Sequence, residues 1–301
     1  MNIGITGASG FIGSRIVELV NERGHRVIGF SRNPNRLIRN CAETRVFSPD
    51  RSVDVSGCDA LIHLAGENIF GIWTKEKKRR IRESRVRGTR RIIESILAGP
   101  HPPRVLVSGS AIGFYGDTGE SIADESAPAG DGFLAEVTQA WEAEALRARE
   151  RGVRVVLLRT GVVLGKNGGA LRVMSPIFRA GLGGKIGDGT QWMSWIHLDD
   201  EAALTLFAIE NETVSGPLNA VAPEPVRNVD FTRDVARTLH RPAIFTVSAF
   251  VLKTIAGEPS RELLDSKRIV PRAATAAGFR FHFPNLTDAL AALFPIENPK
   301  S

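Results

Sequence analysis

The sequence predicts an α/β protein: a doubly wound parallel sheet covered by helices on both faces, joined to a small C-terminal lobe. Three observations carry this. Short apolar runs alternate with amphipathic helical segments as far as residue 165, the pattern of parallel strands and crossover helices. The first run ends in a glycine turn that opens a helix. Beyond Gly165 the chain turns glycine-rich and the alternation breaks, which marks a second unit.

The elements follow in order. "NIGIT" (2–6) is an apolar strand. "FIGSRIVELVNERG" sets Ile12, Ile16, Leu19 and Val20 at helical spacing and stops at Gly24. "RVIGFS" completes a βαβ unit. "ALIHLA" (60–65) is a strand, residues 75–98 a helix closed by "GPHPP", and "RVLVSG" (104–109) a strand. Residues 132–152 form a helix ending at Gly152, followed by the strand "VRVVLLRT" (153–160). The glycine-rich stretch 166–190 crosses to the lobe. "WIHLDDEAALTLFAIEN" is a strand end and a helix capped by its Asp pair, and "GPLNAV" a short strand. One unit thus spans 1–165 plus 191–222, the lobe 166–190 plus 223–293, and a loose tail 294–301.

Bulk properties exclude several classes. A chain of 301 residues, 43% hydrophobic and 24% charged, can bury a core without a disulfide framework. Cys41 and Cys58 are the only cysteines and form no metal-ligand spacing, so a reducing compartment and no metal site are expected. The N-terminus lacks the features of a secretory signal. No apolar run approaches the roughly 18 residues of a membrane span, so a cytoplasmic protein without a membrane partner is expected. The net charge of +6 is concentrated in "KEKKRRIRESRVRGTRR" (75–91), with ten Lys or Arg against two Glu. Nucleic-acid binding is one reading of such a run. Ile81, Val86, Ile92 and Ile93 interrupt it at helical spacing, which favours a solvated helix face. One or two of its arginines facing a phosphate-bearing ligand is a third reading.

The glycine turn is the most informative motif. Gly7-Ala8-Ser9-Gly10-Phe11-Ile12-Gly13 follows a strand and opens a helix. Gly7 permits the tight turn. Gly10 lets backbone N–H groups approach a pyrophosphate at the positive helix end, and Gly13 allows close helix–sheet packing. The second strand ends in Ser31-Arg32-Asn33, where an NAD-preferring site would carry Asp or Glu for the ribose 2′-hydroxyl. Arg32 can instead pair with a 2′-phosphate, so NADP(H) is favoured over NAD(H).

Several stretches together resemble the extended short-chain dehydrogenase/reductases: "TGASGFIG", "LIHLAGE", "VLVSGSAIGFYG", "LLRTGVVLG" and "WIHLDD". With "LAGENI", "GGALRVM", "GLGGKIGDGTQWMSWIHLDD" and "IVPRAATAAGFRFHFPNLTDAL", the chain is similar to the atypical branch termed epimerase family proteins, from residue 1 to about 293. The resemblance implies a Rossmann-like dinucleotide-binding domain and a small C-terminal substrate lobe, with the site between them. It implies cofactor contacts from Gly7, Ser9, Gly10, Phe11, Ile12 and Gly13, from Ser31 and Arg32, and from Leu64, Ala65 and Gly66. The stretch around Thr160–Val163, Val162 included, is implied to approach the nicotinamide; Ser108, also expected to touch the cofactor, and Ser110 stand where the superfamily places its catalytic serine or threonine. Arg85 stands where the family often has the Asn of N-V-x-G-T and is expected to point at the cofactor. Extended members often dimerise through helices equivalent to 75–98 and 133–151; the charge on the first argues against copying that arrangement here.

The chain departs from the family at its reactive pair. Typical members use Tyr-x-x-x-Lys to move a proton while hydride transfers. Tyr115 is the sole tyrosine, and Gly119 stands four residues on. In the helix where the pair would fall, Leu134 and Thr138, or nearby residues, occupy its positions, and Phe133 followed by Val137 offers no such pair either. Tyr115 is therefore read as packing or lining the pocket. Ser108, Ser110, Glu67 and Tyr115 remain weak catalytic candidates, with Asn68 and Lys166 as polar contacts, His63 buried in its strand and His197 structural. Two readings stay open: an NADP-dependent oxidoreductase or epimerase-type enzyme on an unidentified small molecule, and a catalytically silent NADP-bound sensor or scaffold.

Overall fold

The computed structural model describes residues 1–33 and 38–295. Residues 296–301 of the expected loose tail lie outside the described residues. The first half contains β1 (Asn2–Thr6), α1 (Phe11–Glu22), β2 (Arg26–Ser31), β3 (Glu43–Val46), β4 (Ala60–His63), α2 (Lys75–Ala98), β5 (Val105–Ala111), α3 (Phe133–Leu146) and β6 (Arg154–Thr160). There follow β7 (Val162–Gly165), α4 (Gly169–Arg179), β8 (Gly184–Ile186), β9 (Trp192–Met193), β10 (Trp195–His197), α5 (Leu198–Glu210) and β11 (Gly216–Ala220). The C-terminal part holds β12 (Val226–Arg227), α6 (Asn228–Thr238), β13 (Phe245–Val247), α7 (Ala249–Ala256), α8 (Arg261–Leu264), α9 (Arg272–Ala276) and α10 (Leu286–Leu293).

Seven strands form one sheet in the order β11-β6-β5-β4-β1-β2-β3, and every pairing in it is parallel. This is a Rossmann-like α/β fold. Successive residues of its strands face opposite sides. Leu61, Leu106 and Leu157 pack with Ile92, Ile93 and Ile96 of α2. Their successors Ile62, Val107 and Leu158 pack with Ile16 and Val20 of α1 and Leu204 of α5. Both faces are therefore covered, which explains the near-continuous apolar strands. A further cluster joins Leu171, Phe178, Trp195, Phe231, Val235 and Leu290 beside the sheet.

Two expectations need correction. The helix over 132–152 is α3 followed by a 3-10 segment, Arg147–Arg151, that stops at Gly152 with φ +71°. Tightening of a last turn before a left-handed glycine is a common way to use the orphan carbonyls. The Asp pair does not cap α5: the cap is His197, whose Nδ1 accepts from the Asp199 N–H at 3.1 Å. Both carboxylates are engaged elsewhere. Asp199 pairs with Arg15 at 2.6 Å, and Asp200 accepts the N–H groups of His282 and Phe283 at 2.8 and 2.9 Å.

Candidate functional site

Because the strands are parallel, the turns after β1, β2, β4, β5 and β6 converge on one edge of the sheet, where ligands of such folds bind. The glycine turn sits there. Gly7 has φ +75°, and the Gly10 N–H donates to the Gly7 carbonyl at 2.8 Å. Gly10 starts α1 without any side-chain cap, so first-turn N–H groups face outward beside exposed Ser9. A Cβ on Gly13 would stand 2.1 Å from the Gly7 carbonyl oxygen, so the helix start fits closely against the turn only with glycine. Phe11 behaves differently from a ligand-facing residue. Its ring lies where side chains at Gly165, Gly168 and Gly169 would be, within 2.1–2.9 Å of their absent Cβ atoms. Ile12 packs on the α1-side core.

A pair of threonines holds the turn after β4. Thr6 Oγ1 accepts the Leu64 and Ala65 N–H groups, both at 3.1 Å. Its own hydrogen is then left for His63 Nδ1 at 2.7 Å. His63 Nε2 must carry the ring proton and donate to Thr89 Oγ1 at 3.0 Å. Burial pushes His63 down to about 4, so it stays neutral and the strip Leu64-Ala65-Gly66 is fixed. Thr6 and Thr89 carry no motif, and only their places at a strand end and a helix face could have pointed to them.

Beside that strip lies a basic cluster. Ser31 accepts the Asn33 N–H at 3.1 Å, and Arg32 is exposed. Glu67 accepts from Lys77 at 2.8 Å and lies 3.6 Å from Arg80. The Lys77 hydrogen bond, aided by the charges of Lys77, Arg80 and Arg32, holds the Glu67 carboxyl below its ordinary value. Its carboxylate is thus bound into ion pairs. Arg85 donates through Nη1 to the carbonyls of Glu67 (2.9 Å) and Ile81 (3.3 Å). Its guanidinium lies against Gly66 and 5.3 Å from the Trp141 ring. It has no ion-pair partner among the described residues, and burial pushes it down to about 10.

The hydroxyls offered as catalytic candidates lie inside the fold. Ser110 Oγ donates to Glu142 Oε1 at 2.6 Å. Arg159 meets the same carboxylate through Nε and Nη2 at 2.8 and 2.9 Å, a bidentate pair. Arg159 Nη1 also donates to Tyr115 Oη at 2.9 Å, and that hydroxyl donates to Asn219 Oδ1 at 2.7 Å. Tyr115 is 4% exposed, and burial pushes its phenol above the ordinary value. It is a strut beneath the edge, a packing role rather than that of a proton donor. Ser108 is fully buried with only the Gly109 carbonyl at 3.3 Å. Leu134 packs near Gly113, and Thr138 Oγ1 donates to the Leu134 carbonyl at 2.6 Å within α3. Val162 begins β7, opposite Trp195.

The residues at this edge fit a dinucleotide. The cradle at Gly13 admits no side chain, and Arg85 lacks a counter-ion. Trp141 Nε1 is a buried donor without a partner, and its ring lies 3.1 Å from where a Cβ of Gly109 would be. A cavity of about 500 Å³ between residues 52–57 and 99–102 lies at the strands' opposite ends and contains none of the buried unpartnered atoms. Among the described residues no group of three or more His, Cys, Asp or Glu could hold a metal. No helix of the described residues is long and apolar enough to cross a membrane.

Comparison with known proteins bears on this geometry. Residues 3–220 match the model of the NAD dependent epimerase/dehydratase family, and residues 247–293 match a domain of unknown function, DUF1731. The chain is 37% identical to the chloroplastic epimerase family protein SDR39U1 homolog of Arabidopsis thaliana, over 97% of this chain and 86% of that protein. It is 36% identical to epimerase family protein YfhF of Bacillus subtilis, over 97% and 98%. Among solved structures, human epimerase family protein SDR39U1 (isoform 2) with NADPH superposes with a TM-score of 0.91 at 32% identity, covering 99% of this chain and all of that one. UDP-glucuronic acid 4-epimerase of Bacillus cereus, in complex with UDP-glucuronic acid and NAD, shares the fold at TM-score 0.78 and 18% identity, over 98% of both chains.

Proposed function

We propose, for a chain that belongs to the NAD dependent epimerase/dehydratase family, that it binds NADPH across the C-terminal edge of its sheet and acts on a small molecule by oxidoreductase or epimerase-type chemistry. The unit 1–165 plus 191–222 would hold the cofactor and the lobe 166–190 plus 223–293 the substrate, in a reducing, cytoplasmic setting. The observation that carries the reading is the basic cluster beside the glycine turn. Arg32, Lys77 and Arg80 surround one carboxylate, Glu67, and leave positive charge where a ribose 2′-phosphate would lie. NADPH in the human relative supports the same cofactor, while NAD in the Bacillus cereus enzyme bears on the fold alone.

In this reading Gly7, Ser9, Gly10 and Gly13 receive the pyrophosphate, and Ser31 with Arg32 takes the 2′-phosphate. The fixed strip Leu64-Ala65-Gly66 meets the ribose, and Arg85 donates to a cofactor oxygen. Ile12 and Phe11 back the turn. Bound there, the cofactor supplies or accepts a hydride. No Tyr-x-x-x-Lys pair assists in this reading, because Tyr115 is the sole tyrosine and Gly119 stands four residues on. Arg32→Asp tests the cofactor: NADPH affinity is expected to fall about 10- to 100-fold, the worth of a charge-assisted contact, with NADH little changed. Equal effects on both in a fluorescence titration would sink the assignment.

The commitment of Ser110 and Tyr115 to a buried network favours a second reading, a silent NADPH-bound sensor or scaffold. A panel of aldehydes, ketones and sugar nucleotides separates the two. Tight NADPH binding with no oxidation across the panel supports the sensor; turnover with any member rejects it.

A further inference from the structure

Glu201 is the one buried carboxyl group among the described residues with an oxygen that meets no donor. It is fully buried on α5. Its Oε1 lies 2.7 Å from Thr160 Oγ1, and its Oε2 has no partner. Thr160 ends β6, in register with Ala111 of β5 and Ala220 of β11, and is partly exposed at the edge where the turns converge. The Leu158 carbonyl also lies near its hydroxyl, at a long 3.5 Å.

Two proton arrangements satisfy the short contact. If Glu201 is a carboxylate, the Thr160 hydrogen must point inward to it. If Glu201 is a carboxylic acid, its own hydrogen can lie between the two oxygens, and the Thr160 hydrogen is released for another acceptor. Burial favours the acid, pushing Glu201 up to about 8 against the opposing Thr160 contact. The charged and titratable groups on the elements around it are already engaged. Arg15 of α1 pairs with Asp199, Asp200 meets His282, and His197 caps α5. On β6, Arg154 donates to carbonyls at the strand's far end and Arg159 pairs with Glu142 on the other face. None forms an ion pair or hydrogen bond with Glu201.

We infer that Thr160, held as a donor by protonated Glu201, is a binding site for a carbonyl oxygen presented at the C-terminal edge of β6. The inference rests on the NADPH reading above. The oxygen comes from either the nicotinamide carboxamide or the substrate, and Glu201 is a positioning residue that acts through Thr160.

The test titrates full-length protein with NADPH and with 2′,5′-ADP, which lacks the nicotinamide, from pH 6.5 to 9. If the carboxamide is the acceptor, NADPH affinity falls about 3- to 10-fold on passing from pH 7 to 9, the worth of one hydrogen bond, and 2′,5′-ADP affinity does not. Thr160→Val shows that loss at every pH. Glu201→Gln abolishes the pH step, whatever its absolute affinity. If the substrate is the acceptor, both nucleotides titrate flat. The pH step and its loss in Thr160→Val then appear in the binding of isobutyramide, an unreactive carbonyl, to the NADPH complex. Two outcomes overturn the inference: Thr160→Val binding all three as wild type does, or weakening 2′,5′-ADP as much as NADPH. Failure of wild type to bind either nucleotide would remove the cofactor reading, and this inference with it.

Discussion

Glu142 and Arg159 show how much of this site is settled by single side chains. Their bidentate pair is buried and shares its remaining capacity with Ser110 and Tyr115. Arg159→Met leaves Glu142 uncompensated, and a loss of about 3–5 kcal/mol in urea unfolding is expected; a loss below about 1 kcal/mol would contradict the pairing. Two other buried groups give opposite pH slopes. His63 titrates at about 4 when folded and near 6.5 unfolded. Its neutral form contributes up to about 3 kcal/mol above pH 6.5 that is lost as pH falls towards 4. Glu201 has its folded value raised to about 8. Its contribution is present below about pH 4.5 and is lost as pH rises towards 8. Glu201→Gln should therefore gain on wild type progressively from pH 5 to pH 8, by up to about 4 kcal/mol. A gap between the two urea curves that does not vary with pH would count against a protonated Glu201.

At the scale of elements, the basic run became a helix with most of its charges paired within the protein. Arg79 pairs with Glu76 and Glu83, Arg87 with Asp50, Arg90 with Glu144 and Arg91 with Glu94. We expect no retention of a labelled DNA duplex at 150 mM salt; binding that weakens steeply with added salt would restore the nucleic-acid reading. The strands and helices of the sheet were legible because each has one period and one environment. Ile16 and Val20, or Leu61 and Ile62, announce their faces by spacing alone. The glycine turn was legible too, since Gly7 and Gly13 answer local steric demands. What spacing cannot show is partnership across the chain. Glu142 with Arg159, Thr6 with His63, and Glu201 with Thr160 are separated by 17 to 57 residues. Spacing could not name the partner of Tyr115 for the same reason, because Asn219, 104 residues away, takes its hydroxyl.

Across the whole molecule, the residues of the proposed lobe meet the rest of the chain through an apolar cluster that includes Trp195, Phe231 and Leu290, and through polar ties at its rim. Lys78 pairs with Glu258, Arg261 with Asp131 at 3.4 Å, and Arg227 with Glu120 at 2.9 Å. Between them α7 has no buried residue, and Phe250 and Ile255 are 77% and 71% exposed. Such a segment opens at little cost, so brief trypsin treatment is expected to cut first after Lys253, as mass spectrometry of the fragments would show; first cleavage within α2 would contradict it. One contact ties distant turns of the chain together differently. The Phe11 ring belongs to the first residue of α1, yet it is lodged among Gly165, Gly168 and Gly169 at the entry to α4. A ligand that draws the glycine turn inward must carry that entry with it. By thermodynamic reciprocity, whatever then settles against α4 tightens the hold on the first ligand by the same factor.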